Sequence, residues 1–393
     1  MMFLDYPLMA LVVAWIILCV SSVGALGIHL LLMMRAARRP WRLNIEKSFR
    51  PEISLIVPTY NESDLIRFKL ENLIRVDYPN DKIQIIVADS NSTDGTMDIV
   101  RDFAERHRNV QIELMSETER KGKVIALNAA LKDCSGDIVI VSDADCFWPS
   151  NILLETIPFF SDLRIGAISG PKLLLNVGES WTASMEGNYL GLMSRAALGQ
   201  SKVGSTILFE GGFSAYRKDI LDSFDPYGTG SDDCGTIIKL AEKNYKAILI
   251  PEAKFYSAFP TTWKEKARMK IRRANQLVRV LGKYLELLLK GRIKYSRSII
   301  TQGIYIYLIT PFIFVAFGIA TFYLFWKAPY SVALLAIFVI PKIRVYALEA
   351  VQSYIVLILS IFSVILKRKF VIWTKPNDRS LVREDILRSK GLI

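Results

Sequence analysis

In the string Ser142-Asp143-Ala144-Asp145-Cys146 two carboxylates alternate immediately after the apolar run Ile138 to Val141. That spacing lets one carboxylate reach a metal and the other a ribose or a neighbouring group. Their hard oxygens suit Mg2+ or Mn2+, which would bridge to a diphosphate and stabilise it as a leaving group. A solitary Asp-x-Asp is also a common solvated turn, so its meaning rests on what surrounds it. A second acidic pair, Asp232 and Asp233, follows Gly230-Ser231 and offers a general base for an attacking hydroxyl. The same pair could cap the next helix, and one pair can do both. Arg120, Lys121 and Lys123 flank Gly122 ahead of a helical pattern, so basic side chains and free helix N–H groups are together available to a diphosphate. In FEGGFSAYRKD, Phe209 to Asp219, Gly211 and Gly212 permit a backbone approach that a β-carbon would block.

These groups need elements to hold them. Ile53 to Val57, Ile83 to Ala88, Val110 to Leu114 and Ile138 to Val141 are short β-branched runs, each followed by polar residues. Between them Asp64 to Val76, Thr96 to Arg106 and Lys123 to Asp133 carry apolar residues at three- and four-residue spacing, as helices do. The alternation predicts an α/β domain with a mostly parallel sheet and ligand sites at the C-terminal strand ends. Pro58, Tyr60 and Glu62, then Asp89, then Asp143 and Asp145 stand at those ends. No GxGxxG or Walker loop is present, so something other than a glycine cradle, such as a cation, has to meet the phosphate charge of a bound nucleotide.

Three motifs in this order, VPTYNE at Val57 to Glu62, DSNSTDGT at Asp89 to Thr96 and SDADC at Ser142 to Cys146, resemble the family 2 glycosyltransferases, whose nucleotide-binding fold is called GT-A. The resemblance covers roughly residues 51 to 280. It implies that Pro58, Tyr60 and Glu62 lie around the nucleoside and that Asp89 contacts the base. Asp143 approaches the donor, and Asp145, with Asp143 beside it, ligates the metal. Where many relatives pair aspartates at the second motif, Ser90 follows Asp89 here. Lys123 to Asn128 is similar to the family's basic segment before an Ala-Leu-Asn helix, which places Lys123 with the donor. Gly211 and Gly212 line the sugar sites, and counting back from Tyr245 puts the base at Asp233 and Asp232 in the preceding acidic position.

Trp263 to Lys290 alternates basic and apolar residues at helical spacing, a pattern that suits a membrane surface. Processive synthases of the family carry Gln-x-x-Arg-Trp hereabouts. Gln276 and Arg279 preserve four of its five positions, with Val280 in place of tryptophan, whereas ungapped spacing points to Arg272 and Arg273 instead. Both alignments stay open, with membrane-interface or diphosphate contact as the implied role. Trp373-Thr374 is a faint echo of synthase tails.

Of the 393 residues, 51% are hydrophobic, and the excess is localised. Tyr6 to Met34 is long enough to cross a bilayer, too long for a signal peptide, and is followed by Arg35, Arg38, Arg39 and Arg42, which favours a cytoplasmic domain after it. Ile299 to Trp326 spans as well, while Tyr330 to Leu366 is interrupted by Pro341, Lys342, Arg344 and Glu349. Lys367, Arg368 and Lys369 favour a cytoplasmic end and hence two crossings after the domain, with a re-entrant or interfacial piece. Cys19, Cys134, Cys146 and Cys234 have no zinc-like spacing and read as reduced thiols. The net charge of +12 lies beside apolar segments and on the basic helix, so anionic lipid rather than nucleic acid is the expected partner.

The expected organisation is a spanning helix and basic flank over 1–42, a cytoplasmic GT-A domain over 50–260, basic interface helices over 261–298, a spanning region over 299–368 and a cytoplasmic tail over 369–393. The expected activity is metal-dependent, inverting transfer of a hexose from a GDP- or UDP-sugar to a lipid or lipid-linked glycan in the cell membrane. A processive polysaccharide synthase and a transporter with a nucleotide-binding domain are the alternatives. The lack of a glycine-rich N-terminal loop argues against a sugar-phosphate nucleotidylyltransferase.

Overall fold

The structure, a computed structural model, describes residues 6–294, 296–367 and 381–393. It begins with helices α1 (Tyr6–Cys19) and α2 (Ala25–Ala37), joined by a π turn at Val20–Gly24. An alternating series follows: β1 (Ile53–Thr59), α3 (Ile66–Ile74), β2 (Ile83–Asp89), α4 (Thr96–Arg106), β3 (Gln111–Ser116), α5 (Lys123–Ala130), β4 (Ile138–Val141) and α6 (Ile152–Thr156). Then come β5 (Ile165–Ser169), β6 (Lys172–Leu174), α7 (Trp181–Val203), β7 (Ser214–Arg217), α8 (Cys234–Glu242), β8 (Lys246–Leu249) and β9 (Phe255–Ser257). The chain continues with α9 (Trp263–Leu289), α10 (Arg297–Ile304), α11 (Thr310–Lys327), α12 (Pro341–Ile365) and α13 (Glu384–Ser389).

Seven strands form one sheet in the order β3-β2-β1-β4-β7-β5-β8. It is mostly parallel, with β7 antiparallel to both β4 and β5. Both faces are covered, which is why the central strands read as unbroken apolar runs. In β1, Leu55 and Val57 pack with Leu70 and Leu73 of α3 on one face, and Ile56 packs with Ala126 and Leu127 of α5 on the other. The sequence places α3 at 64–76 and α5 at 123–133; both are shorter, because a turn closed by Leu65 N–H to Glu62 O precedes α3 and turn-type bonds from Lys132 to Ala129 and from Asp133 to Ala130 follow α5. The insertion of β7 beside β4 was not visible in the strand pattern. Its register pairs Val141 with Ser214, which lays the Gly211-Gly212 turn against the residues after β4.

Among the described residues three helices are long and apolar enough to cross a membrane: Tyr6–Ala37, Arg297–Lys327 and Ile343–Ile365. The interrupted stretch from Tyr330 resolves into an eleven-residue 3-10 segment, Pro329–Val339, and then α12. The π turn at Val20–Gly24 displaces carbonyls from the helical ladder, and Tyr305 Oη donates to Ser21 O at 2.8 Å. Trp15 Nε1 to Thr321 Oγ1 at 2.8 Å adds a second polar tie between these two spans.

The basic helix α9 differs from the sequence expectation of a surface helix along its whole length. Lys266 and Lys270 face inward and meet Glu349 of α12 at 2.7 and 2.6 Å, with Glu186 of α7 at 3.7 and 3.5 Å. The physical reason is the glutamates: they give buried lysines counter-charges that no helical-wheel reading of α9 alone contains. At the other end of the chain, α13 and the residues after it return to the domain. Leu387, Leu392 and Ile393 pack with Leu65 and Phe147, and Asn72 Nδ2 donates to Leu392 O at 2.6 Å. Arg368, Lys369 and Trp373-Thr374 lie outside the described residues.

Candidate active site

The acidic groups converge on one glycine. A β-carbon built on Gly211 would lie 3.6 Å from Asp143 Oδ2, from Asp233 Oδ2 and from Lys123 Nζ alike. Lys123, in the first turn of α5, bridges Asp143 at 2.6 Å and Asp232 at 2.7 Å. Burial opposes its charge, but the two carboxylates outweigh burial and hold the ammonium well above the usual lysine range. Gly122 before it has φ of +108°, a backbone that a side chain would strain, so the turn that aims Lys123 requires glycine.

Asp233 caps α8. Its Oδ1 accepts from the Cys234 N–H at 2.6 Å and from the Ser231 hydroxyl, which leaves Oδ2 as the oxygen facing Gly211. Burial raises its pKa above the ordinary aspartate value, partly offset by those two hydrogen bonds. Burial also raises the pKa of Asp232, against the pull of Lys123. The loop that delivers the pair is shaped by Asp225, which accepts from the Thr229 N–H and hydroxyl and from the Gly230 N–H at 2.7–2.9 Å.

Asp145 lies in the turn that follows β4, four residues past the strand's end. Asp143, Asp145 and Cys146 present ligand atoms that all lie within 4.8 Å of one another. Burial, then the charge of Asp143, raises the Asp145 pKa, and burial holds the Cys146 thiol well above its ordinary range. The thiol therefore stays protonated, and the available donors are hard carboxylate oxygens whose mutual repulsion a divalent cation would relieve. That set fits Mg2+ or Mn2+ and not a thiolate-seeking ion.

The residues assigned to the nucleoside stand at the C-terminal ends of β1 and β2. The Tyr60 ring lies 3.7 Å beneath the Arg120 guanidinium. Pro58 is within β1 opposite Ala88. Glu62 opens the loop before α3, its N–H donating to Thr96 Oγ1 at 2.8 Å. Asp89 is fully buried: Thr59 and Ser92 hydroxyls and the Ser92 N–H donate to its two oxygens at 2.5–2.9 Å. It ties the first and second motifs together, so it shapes the base-side loop from beneath.

On α9, Arg272, Arg273 and Gln276 share the face turned to the carboxylates. Gln276 Nε2 donates to Gly230 O in the loop before Asp232. Burial, then the neighbouring Arg273 charge, lowers the Arg272 pKa, whereas Glu210 and Glu186 outweigh burial and raise that of Arg273; both feel Asp143 and Asp233. Arg279 lies a turn further along and bonds Asn275 Oδ1 at 3.0 Å. Residues of both alignments, Arg272 and Arg273 and also Gln276, thus face the site, with Arg279 a turn further along.

Sequence reasoning missed Lys69 and Trp148. Lys69 is fully buried beneath the acidic turn, donating to Ser142 Oγ and Cys146 O, each at 2.6 Å, and burial pulls its pKa down to about 8. Its position among Ile66, Leu70 and Leu73 on the inward face of α3 was the available signal. Trp148 Nε1 and Ser142 Oγ both donate to Gly212 O, at 2.9 and 3.0 Å, locking the glycine turn to the acidic turn. A β-carbon on Gly212 would come within 2.1 Å of the Phe255 ring. Gly212→Ala is expected to cost about 1–3 kcal/mol by overpacking and to cut turnover by at least an order of magnitude. Thermal melts and steady-state rates of the purified variant check both.

A family model described as glycosyltransferase like family 2 matches residues 51–276, more than half of the chain. The chain is a family 2 glycosyltransferase. This glycosyltransferase is similar over 91% of its length to the whole chain of a solved mannosyltransferase, PcManGT from Pyrobaculum calidifontis in complex with GDP-Man and Mn2+, at 30% identity and a TM-score of 0.76. It is 34% identical over 158 residues to a beta-monoglucosyldiacylglycerol synthase of Nostoc sp. PCC 7120, covering 40% of this chain and 34% of that one. It is 27% identical over 246 residues to the probable glycosyltransferase YdaM of Bacillus subtilis, covering 61% of this chain and 58% of that one. The glycosyltransferase thus spans less than two thirds of these curated relatives, while its fold is the GT-A arrangement with helices able to cross a membrane added at both ends.

Proposed function

We propose that this glycosyltransferase moves a hexose, with inversion, from a nucleoside-diphosphate sugar to a hydroxyl on a lipid or lipid-linked glycan at the membrane. The observation that carries this reading is the convergence of Asp143, Lys123 and Asp233 on Gly211, beside the Asp143-Asp145 pair. In this reading Asp233 Oδ2 takes the acceptor proton while its Oδ1 stays held by Ser231 and Cys234. The acceptor oxygen bonds the anomeric carbon as the bond to the diphosphate breaks, and the nucleoside diphosphate leaves. A divalent cation on Asp145 and Asp143 would neutralise that leaving group as a Lewis acid. Lys123, Arg272 and Arg273 supply further positive charge to the diphosphate, Asp232 helps to hold the sugar, and Tyr60, Pro58 and Glu62 form the nucleoside wall, whose loop Asp89 shapes from beneath.

The reading places 50–260 as the catalytic domain and 261–298 as the interface helices, with the catalytic domain on the cytoplasmic side, supported by the arginines that follow the first spanning helix. The GDP-Man and Mn2+ complex of a relative at 30% identity supports GDP-mannose as the first donor to try. Purified full-length protein, given GDP- and UDP-sugars with Mn2+, Mg2+ or EDTA and a lipid extract, is expected to consume one donor, to lose turnover with EDTA, and to place label in the lipid phase. Consumption of no donor by folded protein would overturn the reading. The pH profile follows from Asp233. Its pKa is raised, and only its deprotonated form acts, so turnover is expected to fall as pH drops, with the acid limb above the ordinary aspartate value of about 3.9. A rate profile between pH 4 and 8 at saturating donor and metal measures it.

A further inference from the structure

Away from the carboxylates, β6, the end of β8 and one face of α7 enclose an open groove of about 430 Å³. Its α7 wall is built from Ser184, Gly187, Gly191, Ser194, Arg195 and Leu198, which recur every turn of the helix, so a single helix face lines it. At a rise of roughly 1.5 Å per residue, that face runs for about 21 Å. Leu174 and Val177 make the opposite side apolar, and no carboxylate lines the groove among the described residues. One residue past Leu198, a β-carbon on Gly199 would sit 2.0 Å from Met33 O, so the groove's end adjoins the first helix able to cross a membrane.

Lys172 gives this groove its chemistry. It lines the wall, is only 8% exposed, and among the described residues its ammonium has no hydrogen-bond or ion-pair partner. An ammonium with no protein partner at the wall of a groove is available to a bound anion. Arg195 is the second cation of the groove. The charge of Lys172 is also felt at Asp145, which places the groove within electrostatic reach of the acidic turn.

We propose that this groove holds the acceptor lipid, its phosphate on Lys172 and Arg195 and its hydrocarbon chain along α7 from Gly191, where a β-carbon would meet nothing within 4 Å, to Leu198. The proposal rests on the reading of the protein as a transferase to a membrane lipid. It is charge complementarity that selects a phosphate-headed lipid over a neutral one, because an apolar trough with two cations and no carboxylate matches an anionic head on a long tail.

The test uses full-length protein in detergent and farnesyl phosphate carrying a terminal benzophenone. Irradiation is expected to label the peptide spanning 184–198, with farnesyl phosphate competing at least tenfold better than farnesol or inorganic phosphate. Gly191→Phe fills the groove where a β-carbon meets no atom within 4 Å, and phenylalanine favours a helix more than glycine does. It is expected to remove the label and to raise the acceptor KM at least tenfold, with the donor KM within twofold. Lys172→Gln is expected to erase the preference for phosphate over alcohol. Labelling outside α7, labelling unchanged in Gly191→Phe, or farnesol competing as well as farnesyl phosphate would each overturn the proposal. Donor consumption, measured on the same samples, separates the two readings. Metal-dependent consumption without labelling of the groove sinks the groove alone, and labelling of the groove without consumption of any donor sinks the transferase reading and leaves a lipid site.

Discussion

Asp233→Asn is expected to lower kcat for sugar transfer at least about a thousand-fold while leaving nucleotide-sugar affinity within a few-fold of the parent. The expectation follows from how the two oxygens of Asp233 are used. Oδ1 is already committed to the Ser231 hydroxyl and the Cys234 N–H, and the Asn side-chain oxygen can accept both, so the cap on α8 survives. Oδ2 is the oxygen turned to Gly211, and replacing it with an amide NH2 removes the proton acceptor without changing shape. Asp232 cannot take over readily, because Lys123 holds it at 2.7 Å and is shared with Asp143. Isothermal binding of the donor with metal, beside single-turnover rates, makes the distinction. Turnover within tenfold of the parent would remove Asp233 from the base role. A collapse of donor binding together with turnover would assign it to the donor instead. The companion change Asp232→Asn should behave differently: it frees Lys123 to pair with Asp143 alone and is expected to disturb donor KM as well as kcat.

The reason so much of this site could be read from the chain is that its parts follow strand ends. A short β-branched run that stops at a polar residue marks both the strand and the place where its last side chain meets a ligand. Ile138 to Val141 ended where β4 ends, so Asp143 and Asp145 were placed correctly against the sheet. The same logic located Tyr60 and Asp89 after β1 and at the end of β2. What it could not supply was the neighbour across the sheet. Only the antiparallel register of β7 on β4 brings Gly211 and Gly212, some seventy residues later, against Ser142, and nothing in a four-residue strand such as Ser214–Arg217 specifies its partner.

Buried charge was the other blind spot. Lys69 and Lys266 occupy positions that a helical pattern assigns to the inside, yet a lysine is ordinarily read as a solvated face. Both are fully buried, and each is tolerated for a reason that lies elsewhere in the chain: a hydroxyl and a carbonyl of the acidic turn for Lys69, two glutamates from α7 and α12 for Lys266. Charge run alone also misdirected the reading of α9. Lys266 and Lys270 clamp it to a helix able to cross a membrane, and Arg272 and Arg273, within two turns further along, face the acidic cluster.

That clamp predicts a large and specific stability effect. Lys266→Met is expected to destabilise the protein by about 3–5 kcal/mol, the range for leaving a buried ion pair with one partner. Lys266 and Lys270 together balance Glu186 and Glu349, and Lys266 is the fully buried member. Its loss leaves two carboxylates with one ammonium, in a setting where each glutamate side chain is at most 6% exposed and water cannot make up the difference. In detergent the apparent unfolding midpoint should fall by on the order of 5–10 °C. Adding Glu349→Leu to the same chain restores one charge of each sign, Lys270 against Glu186 at 3.5 Å, and is expected to recover more than half of the loss. Recovery would establish that the penalty came from uncompensated charge. Equal instability in the single and double variants would mean that the packing of α12 on α9, and not the charge balance, holds α12 to the α/β domain. The position of the clamp makes the consequence functional as well. Lys270 lies two residues before Arg272 on the same helix, so a loosened α12 is expected to raise the donor KM through the arginines before the domain unfolds.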